Sequence, residues 1–173
     1  MKKLLVIVDM QNDFIDGALA NEDAQKIVNP ICDLLHTWDG DICFTEDTHD
    51  KDYYSTQEGK YLPVPHCLKG TMGQEVNNDI IIAAMKNQNE SFFIEKHAFG
   101  YNRWDTLHLD EKYDEIVVCG TCTDICVVSN VLAIKANYPE TKVVVLSKLC
   151  AGLTKEKHEA ALEVMRSCQC DVE

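Results

Sequence analysis

The stretch I-V-V-C-G-T-C-T-D-I-C-V, residues 116–127, decides how the rest of the chain is arranged. Ile116–Cys119 is a continuous apolar run without alternation, the pattern of a strand covered on both faces. From Ile125 to Asn137 the spacing turns helical, with Val128, Leu132 and Ala136 on one stripe. A buried strand feeding directly into an amphipathic helix is the repeating piece of a parallel α/β sheet.

The same pairing recurs on both sides of it. Leu4–Val8, Asp41–Thr45, Ser91–Glu95 and the β-branched run Lys142–Leu146 read as four more buried strands. Ala24–Trp38 places Ile27, Ile31, Leu34 and Leu35 on one stripe, with Asn29-Pro30 either opening the helix or kinking it. Glu75–Asn87 carries Val76, Ile80, Ala83 and Ala84 at helical spacing, and Thr154 is placed to cap a helix over Thr154–Ser167. Strand and helix in alternation predict a three-layer, doubly wound α/β fold, its mainly parallel central sheet flanked by helices. No repeat, low-complexity tract or linker divides residues 1–173, so a single domain is expected.

Composition narrows the partners. The chain has 16 Lys+Arg against 29 Asp+Glu, a formal charge of −13, which argues against nucleic acid or an anionic membrane. The apolar run Leu4–Val8 is shorter than a signal peptide's core and ends at Asp9, and no run approaches a membrane span. A cytoplasmic protein is expected. Nine cysteines, odd in number and irregularly spaced, do not resemble a secreted disulfide framework. Most should be small buried hydrophobes.

In a sheet of this kind the ligand crevice lies beyond the carboxyl ends of the strands. The residues there are Asp9, then Glu46, Asp47 and His49, then Lys96, then Thr121 through Cys126. A thiol at Cys126 sits where the next helix begins, and a helix's first-turn N–H groups and dipole favour thiolate and can bind an oxyanion. Its plain alternative is a packed thiol. Asp9, a carboxylate behind V-I-V, suits general acid–base work unless it only caps a loop. Lys96 near both would stabilise either anion, although most single lysines are merely solvated. Asp47 and His49, two residues apart in an extended chain, share one face, and Glu58 and His66 follow. Two imidazoles and two carboxylates suit zinc, iron or manganese with positions left open, though surface histidines would give the same letters. His36, His97, His108 and His158 lack such company.

With these pieces assembled, the chain resembles the isochorismatase-like cysteine hydrolases, and most of all their nicotinamidase/pyrazinamidase branch. The resemblance rests on V-I-V-D-M-Q-N-D-F at 6–14, T-E-D-T-H at 45–49 and P-H-C-L-K-G-T at 65–71. It continues with F-F-I-E-K at 92–96, V-V-C-G-T-C-T-D-I-C-V at 117–127 and C-A-G at 150–152. It implies a triad of Asp9, Lys96 and Cys126. It also implies an oxyanion hole from the backbone N–H groups of Cys122 and Cys126, and a cis peptide between Thr121 and Cys122. By the same resemblance Asp47, His49, Glu58 and His66 hold one divalent transition metal, zinc first, with iron or manganese as alternatives. Isochorismatases proper cleave a vinyl ether and lack both the cysteine and the metal loop, so amide hydrolysis is favoured. Phe14 matches one pocket wall. The opposite wall falls in a departure, Tyr61-Leu62-Pro63-Val64-Pro65-His66, which leaves Tyr61 or Leu62 in the aromatic's place. Phe99 is a further pocket candidate. Tyr101 and Trp104 are looser ones, set against ordinary core packing.

The expected function is therefore hydrolysis of nicotinamide to nicotinate and ammonia through a thioester on Cys126. A different small-amide or ureido hydrolase of the same superfamily is the alternative. From another class stands a non-catalytic, metal- or redox-responsive binding protein. The expected partner is a small amide, with self-association through an uncovered helix face.

Overall fold

All five apolar runs form strands, and a short sixth joins them. The computed structural model describes residues 1–87 and 89–173. In chain order it has β1 (Lys3–Val8), α1 (Asn12–Ile15), α2 (Glu22–Thr37), β2 (Asp41–Asp47), α3 (Gln57–Tyr61), α4 (Asn78–Met85) and β3 (Ser91–Lys96). There follow α5 (Leu109–Lys112), β4 (Glu115–Thr121), α6 (Val128–Asn137), β5 (Lys142–Ala151), α7 (Lys155–Ser167) and β6 (Asp171–Val172). The sheet order is β3-β2-β1-β4-β5-β6, with every pairing parallel. The sheet is thus wholly parallel where a mainly parallel one was expected.

The chain steps outward from β1 to β2 and β3, then crosses to β4 and steps the other way. Right-handed crossovers therefore lay two sets of helices on opposite faces. α2 packs on α4, and α6 on α7. The order reverses between β1 and β4, and a crevice opens at such a switch point. Leu4, Leu5, Val6, Ile7 and Val8 are fully buried between the helical layers.

Local chemistry explains where the elements begin. Asn21 caps α2, its side chain accepting from the N–H groups of Asp23 and Ala24, so Pro30 lies inside the helix rather than opening it. α4 starts later than its periodicity suggests. Asn77 caps it, while Val76 is drawn into an antiparallel bridge with Gln11. Thr154 caps α7 through the N–H of Lys157, as expected.

Gly120 is fixed by its surroundings. Its φ is +125°, and a Cβ there would lie 2.1 Å from the Val8 carbonyl oxygen, so β4 approaches β1 closer than any side chain allows. Gly120→Ala is expected to cost at least about 2 kcal/mol, because both the dihedral and the β1 backbone oppose it. Urea denaturation checks this; unchanged stability would mean that β4 can shift away from β1 freely.

Candidate active site and metal centre

Strand register brings the rim residues together. Asp47 pairs with Lys96 across β2 and β3, Val8 pairs with Thr45 across β1 and β2, and Val8 pairs with Gly120 across β1 and β4. The carboxyl ends of four neighbouring strands therefore meet, and Asp9, Asp47, Lys96 and the turn after Thr121 share one crevice.

Asp9 is wholly buried, with φ at +49°. A left-handed aspartate costs of order 1 kcal/mol or more and persists only where neighbours hold it. Thr45 does so: its hydroxyl donates to Asp9 Oδ1 at 2.6 Å, and the Asp9 N–H donates to the Thr45 carbonyl at 3.2 Å. Asp9 Oδ2 lies 2.7 Å from Lys96 Nζ. That ion pair and the facing Cys126 thiol aside, Oδ2 has no partner among the described residues. The Lys96 ammonium also reaches the Ala98 carbonyl at 3.1 Å, Asp47 Oδ1 at 3.3 Å and Cys126 Sγ at 3.8 Å.

Burial dominates the proton affinities. It raises the Asp9 carboxyl above its ordinary value against the pull of Lys96. It works to discharge Lys96, but Asp9, Cys126 and Asp47 outweigh it, so the ammonium stays charged. At Cys126 burial comes first, then the charge of Asp9, and together they push the thiol well above its usual value in spite of Lys96. Burial thus works against the thiolate that a helix N-terminus favours. Cys126 sits within a single π turn, Thr123–Val127, that runs directly into α6. There the N–H groups of Ile125 and Val127 both donate to the Cys122 carbonyl at 3.0 Å. The resting state is a buried thiol facing a proton-hungry carboxylate. The Thr121–Cys122 peptide is cis.

One strand over, donor atoms of Asp47, His49, Glu58 and His66 all lie within 4.8 Å of one another. His49 Nε2 is 2.9 Å from Asp47 Oδ2 and 3.7 Å from Glu58 Oε1; His66 Nε2 is 3.5 Å and 3.6 Å from the same two oxygens. Donors about 2.05 Å from a shared octahedral or tetrahedral ion stand about 2.9–3.3 Å apart, so the cluster fits a small divalent ion after slight contraction. His66 Nδ1 bonds the Val64 carbonyl at 2.9 Å, which directs Nε2 into the cluster. Burial would raise the Asp47 carboxyl, yet hydrogen bonds to His49 and His66 and the charge of Lys96 hold it below the usual range.

Both clusters open into one cavity of about 600 Å³, whose walls include Phe14, Leu62, Phe99, Cys122 and Cys126 beside Asp47, Glu58 and His66. Phe14 tilts against His66 with ring centroids 5.5 Å apart. Leu62 lines this cavity and Tyr61 does not. Tyr61 ends α3 and is 83% exposed, while the Tyr53 hydroxyl donates to the Leu62 carbonyl at 2.9 Å and fixes that turn. Trp104 is fully buried, edge-on to Tyr101, and is core rather than pocket wall.

Several residues brace the site through contacts that their sequence neighbours do not reveal. Gln11, fully buried, donates to the carbonyls of Asp47 and Gln74 at 2.8 and 2.7 Å and accepts from the Asp47 N–H at 2.8 Å. Tyr53 packs against both His49 and His66. His158 bonds the Thr123 hydroxyl at 2.8 Å and so braces the π turn. Asn130 spends its whole amide. Nδ2 donates to the Cys126 and Phe99 carbonyls at 2.8 and 3.2 Å, and Oδ1 accepts from the Tyr101 N–H and Trp104 Nε1 at 2.9 and 3.2 Å. Asn130→Ala leaves those four groups without a partner and is expected to destabilise the fold by about 2–4 kcal/mol. It should also loosen the Phe99 wall, so KM should rise more than kcat falls. A KM at the wild-type value would separate Asn130 from that wall.

A doubly wound sheet carries a thiol, a carboxylate, an ammonium and a metal-type cluster at its carboxyl rim, and the chain's similarity to nicotinamidases makes it an amide hydrolase. The chain belongs to the isochorismatase family: residues 3–173 match the isochorismatase domain. A Bacillus subtilis isochorismatase family protein, PncA, not itself characterised, is 30% identical over 94% of this chain and 93% of its own. The nicotinamidase/pyrazinamidase of Mycobacterium tuberculosis is 28% identical over 98% of this chain and 97% of its own. The crystal structure of Bacillus subtilis nicotinamidase/pyrazinamidase PncA superposes with a TM-score of 0.84 at 27% identity, covering 99% of each chain.

Proposed function

We propose that this chain is a metal-dependent nicotinamidase in which Cys126, Asp9 and Lys96 hydrolyse the carboxamide. One observation carries the reading: the thiol cluster and the four-donor cluster face a single cavity, so one small ring can touch both. A divalent ion held by Asp47, His49, Glu58 and His66 would offer a Lewis-acid contact to the ring nitrogen and so fix the ring's orientation.

The remaining chemistry belongs to the chain. Asp9 accepts the Cys126 proton as sulfur attacks the amide carbon, while Lys96 neutralises the charge on both partners. The tetrahedral oxyanion rests on the backbone N–H groups of Cys122 and Cys126; loss of such a donor typically costs about 2.7–4 kcal/mol. The carbon–nitrogen bond breaks as Asp9 returns the proton to nitrogen, and ammonia leaves a thioester on Cys126. Asp9 then takes a proton from water, whose oxygen attacks the thioester and releases nicotinate and the thiol. Phe14 and Leu62 hold the ring between them and exclude water from its faces.

Among the described residues no helix is long and apolar enough to cross a membrane. Ammonia release from nicotinamide is the deciding measurement. Turnover is expected, with loss on chelation and recovery on adding zinc, iron or manganese back. Turnover that survives complete metal removal would overturn the metal's part, and no ammonia at all would overturn the substrate.

A further inference from the structure

We propose that the substrate site continues past Leu62 and Phe99 into a second chamber. The chain would then hydrolyse pyridine carboxamides that carry an apolar ring substituent as readily as the unsubstituted amide. The inference rests on the amidase reading above and extends it to a substrate class. A hollow of about 540 Å³ adjoins the cavity of Cys126, and the two share Glu58, Leu62, Phe99 and Ile125 as walls. Each volume falls within the range that suits a drug-sized ligand, whereas a single ring with one carboxamide occupies only part of either.

The partition between the chambers is slight. Leu62 and Phe99 are 37% and 46% exposed, so neither is wedged in place by packing. The donor cluster itself stands in the shared wall. Asp47, Glu58 and His66 face the first chamber, while His49 and Glu58 face the second. A ring seated against that cluster therefore has one edge toward each space. Leu62 is central to this, because it borders both spaces.

The lining also selects the substituent. Tyr61, Leu62, Ala98, Phe99 and Ile125 offer apolar surface beside Thr56, Gln57, His97 and the cluster residues His49 and Glu58. An alkyl substituent meets apolar surface there.

The test compares kcat/KM for nicotinamide with that for nicotinamides carrying a methyl or ethyl group at each free ring carbon in turn. It is run on the metal-loaded wild type and on Gln57→Trp. Gln57 is exposed and lines only the second chamber, so a tryptophan there fills that space without entering the first. In a closed pocket an extra methylene costs about 10–200-fold. The expected result is at least one substituted amide within about 3-fold of nicotinamide in the wild type. Gln57→Trp should then lower that substrate at least about 10-fold while nicotinamide stays unchanged. Rejection of every substituted amide by about 10-fold or more, with nicotinamide well used, overturns the second chamber alone. So does acceptance that Gln57→Trp leaves untouched. Failure on nicotinamide itself overturns the amidase reading, and this inference with it.

Discussion

Cys126→Ala is expected to lower amide hydrolysis by at least about 10⁴-fold while leaving the bound metal near its wild-type content. Removing the attacking atom removes the covalent route, and the positioning groups left behind recover only a small part of the rate. Metal should be retained because none of the four donors comes from the π turn that holds Cys126: Asp47 ends β2, Glu58 lies in α3, and His49 and His66 are in the loops around it. The thiol is 6% exposed, so its loss leaves a small cavity and a modest fall in stability, readable as a slight drop in Tm. Cys126→Ser separates two ideas. A hydroxyl keeps the shape but holds its proton far more tightly, so Asp9 cannot draw it off and activity should stay near that of the alanine variant. Wild-type turnover in either variant would place the chemistry elsewhere, with water attacking the amide directly.

Burial and the charge of Asp9 hold the Cys126 proton on sulfur, so the nucleophile is made only when Asp9 takes it. An enzyme with a standing thiolate would be inactivated quickly by alkylating agents at neutral pH. Here slow alkylation by iodoacetamide is expected, protected further by nicotinamide.

Much of this site could be read along the chain because strand ends are local features. Asp9 and Lys96 each follow an apolar run, and Cys126 follows one by a single turn. The boundaries were less legible. β2 and β3 run on to Asp47 and Lys96, beyond the Thr45 and Glu95 at which their apolar patterns stop, because the ladder continues through charged residues. β6 has only two residues and no pattern of its own. The partners of the supports were not legible, even where Gln11 and Thr45 fall inside the quoted motifs. Gln11 reaches Asp47 and Gln74 across 36 and 63 residues, Thr45 reaches Asp9 across 36, and Asn130 reaches Phe99 across 31. Each is an ordinary polar residue until the fold brings its partner near. Tyr61 and Leu62 differ by one step along α3's end; Leu62 lines the cavity of Cys126, and its carbonyl's bond to Tyr53, which no spacing reveals, fixes that turn.

Lys96→Met is expected to damage both stability and catalysis, and a double substitution can tell the two apart. The ammonium, its side chain 1% exposed, stands between Asp9 Oδ2 at 2.7 Å and Asp47 Oδ1 at 3.3 Å. Methionine fills the same space but leaves a buried carboxylate at Asp9 without its counter-charge. Breaking a buried pair from one side typically costs about 3–5 kcal/mol, far more than the pair contributes over a well-packed apolar replacement. The uncompensated Asp9 then has one inexpensive course, which is to take up a proton. Its carboxyl is already raised by burial, and loss of Lys96 raises it further, so near neutral pH it becomes a neutral acid unable to accept the thiol proton. A folded-state carboxyl above its unfolded value destabilises as pH rises through the ordinary carboxylate range, so the variant should lose stability between acid and neutral pH relative to wild type. Adding Asp9→Asn removes the buried charge altogether, and Lys96→Met/Asp9→Asn should regain most of the lost stability while remaining inactive. Urea denaturation across pH, beside ammonia release, reads both effects. If Lys96→Met alone stays as stable as wild type at neutral pH, then Asp9 is not held ionised by Lys96, and the carboxylate that accepts the thiol proton must be sought elsewhere.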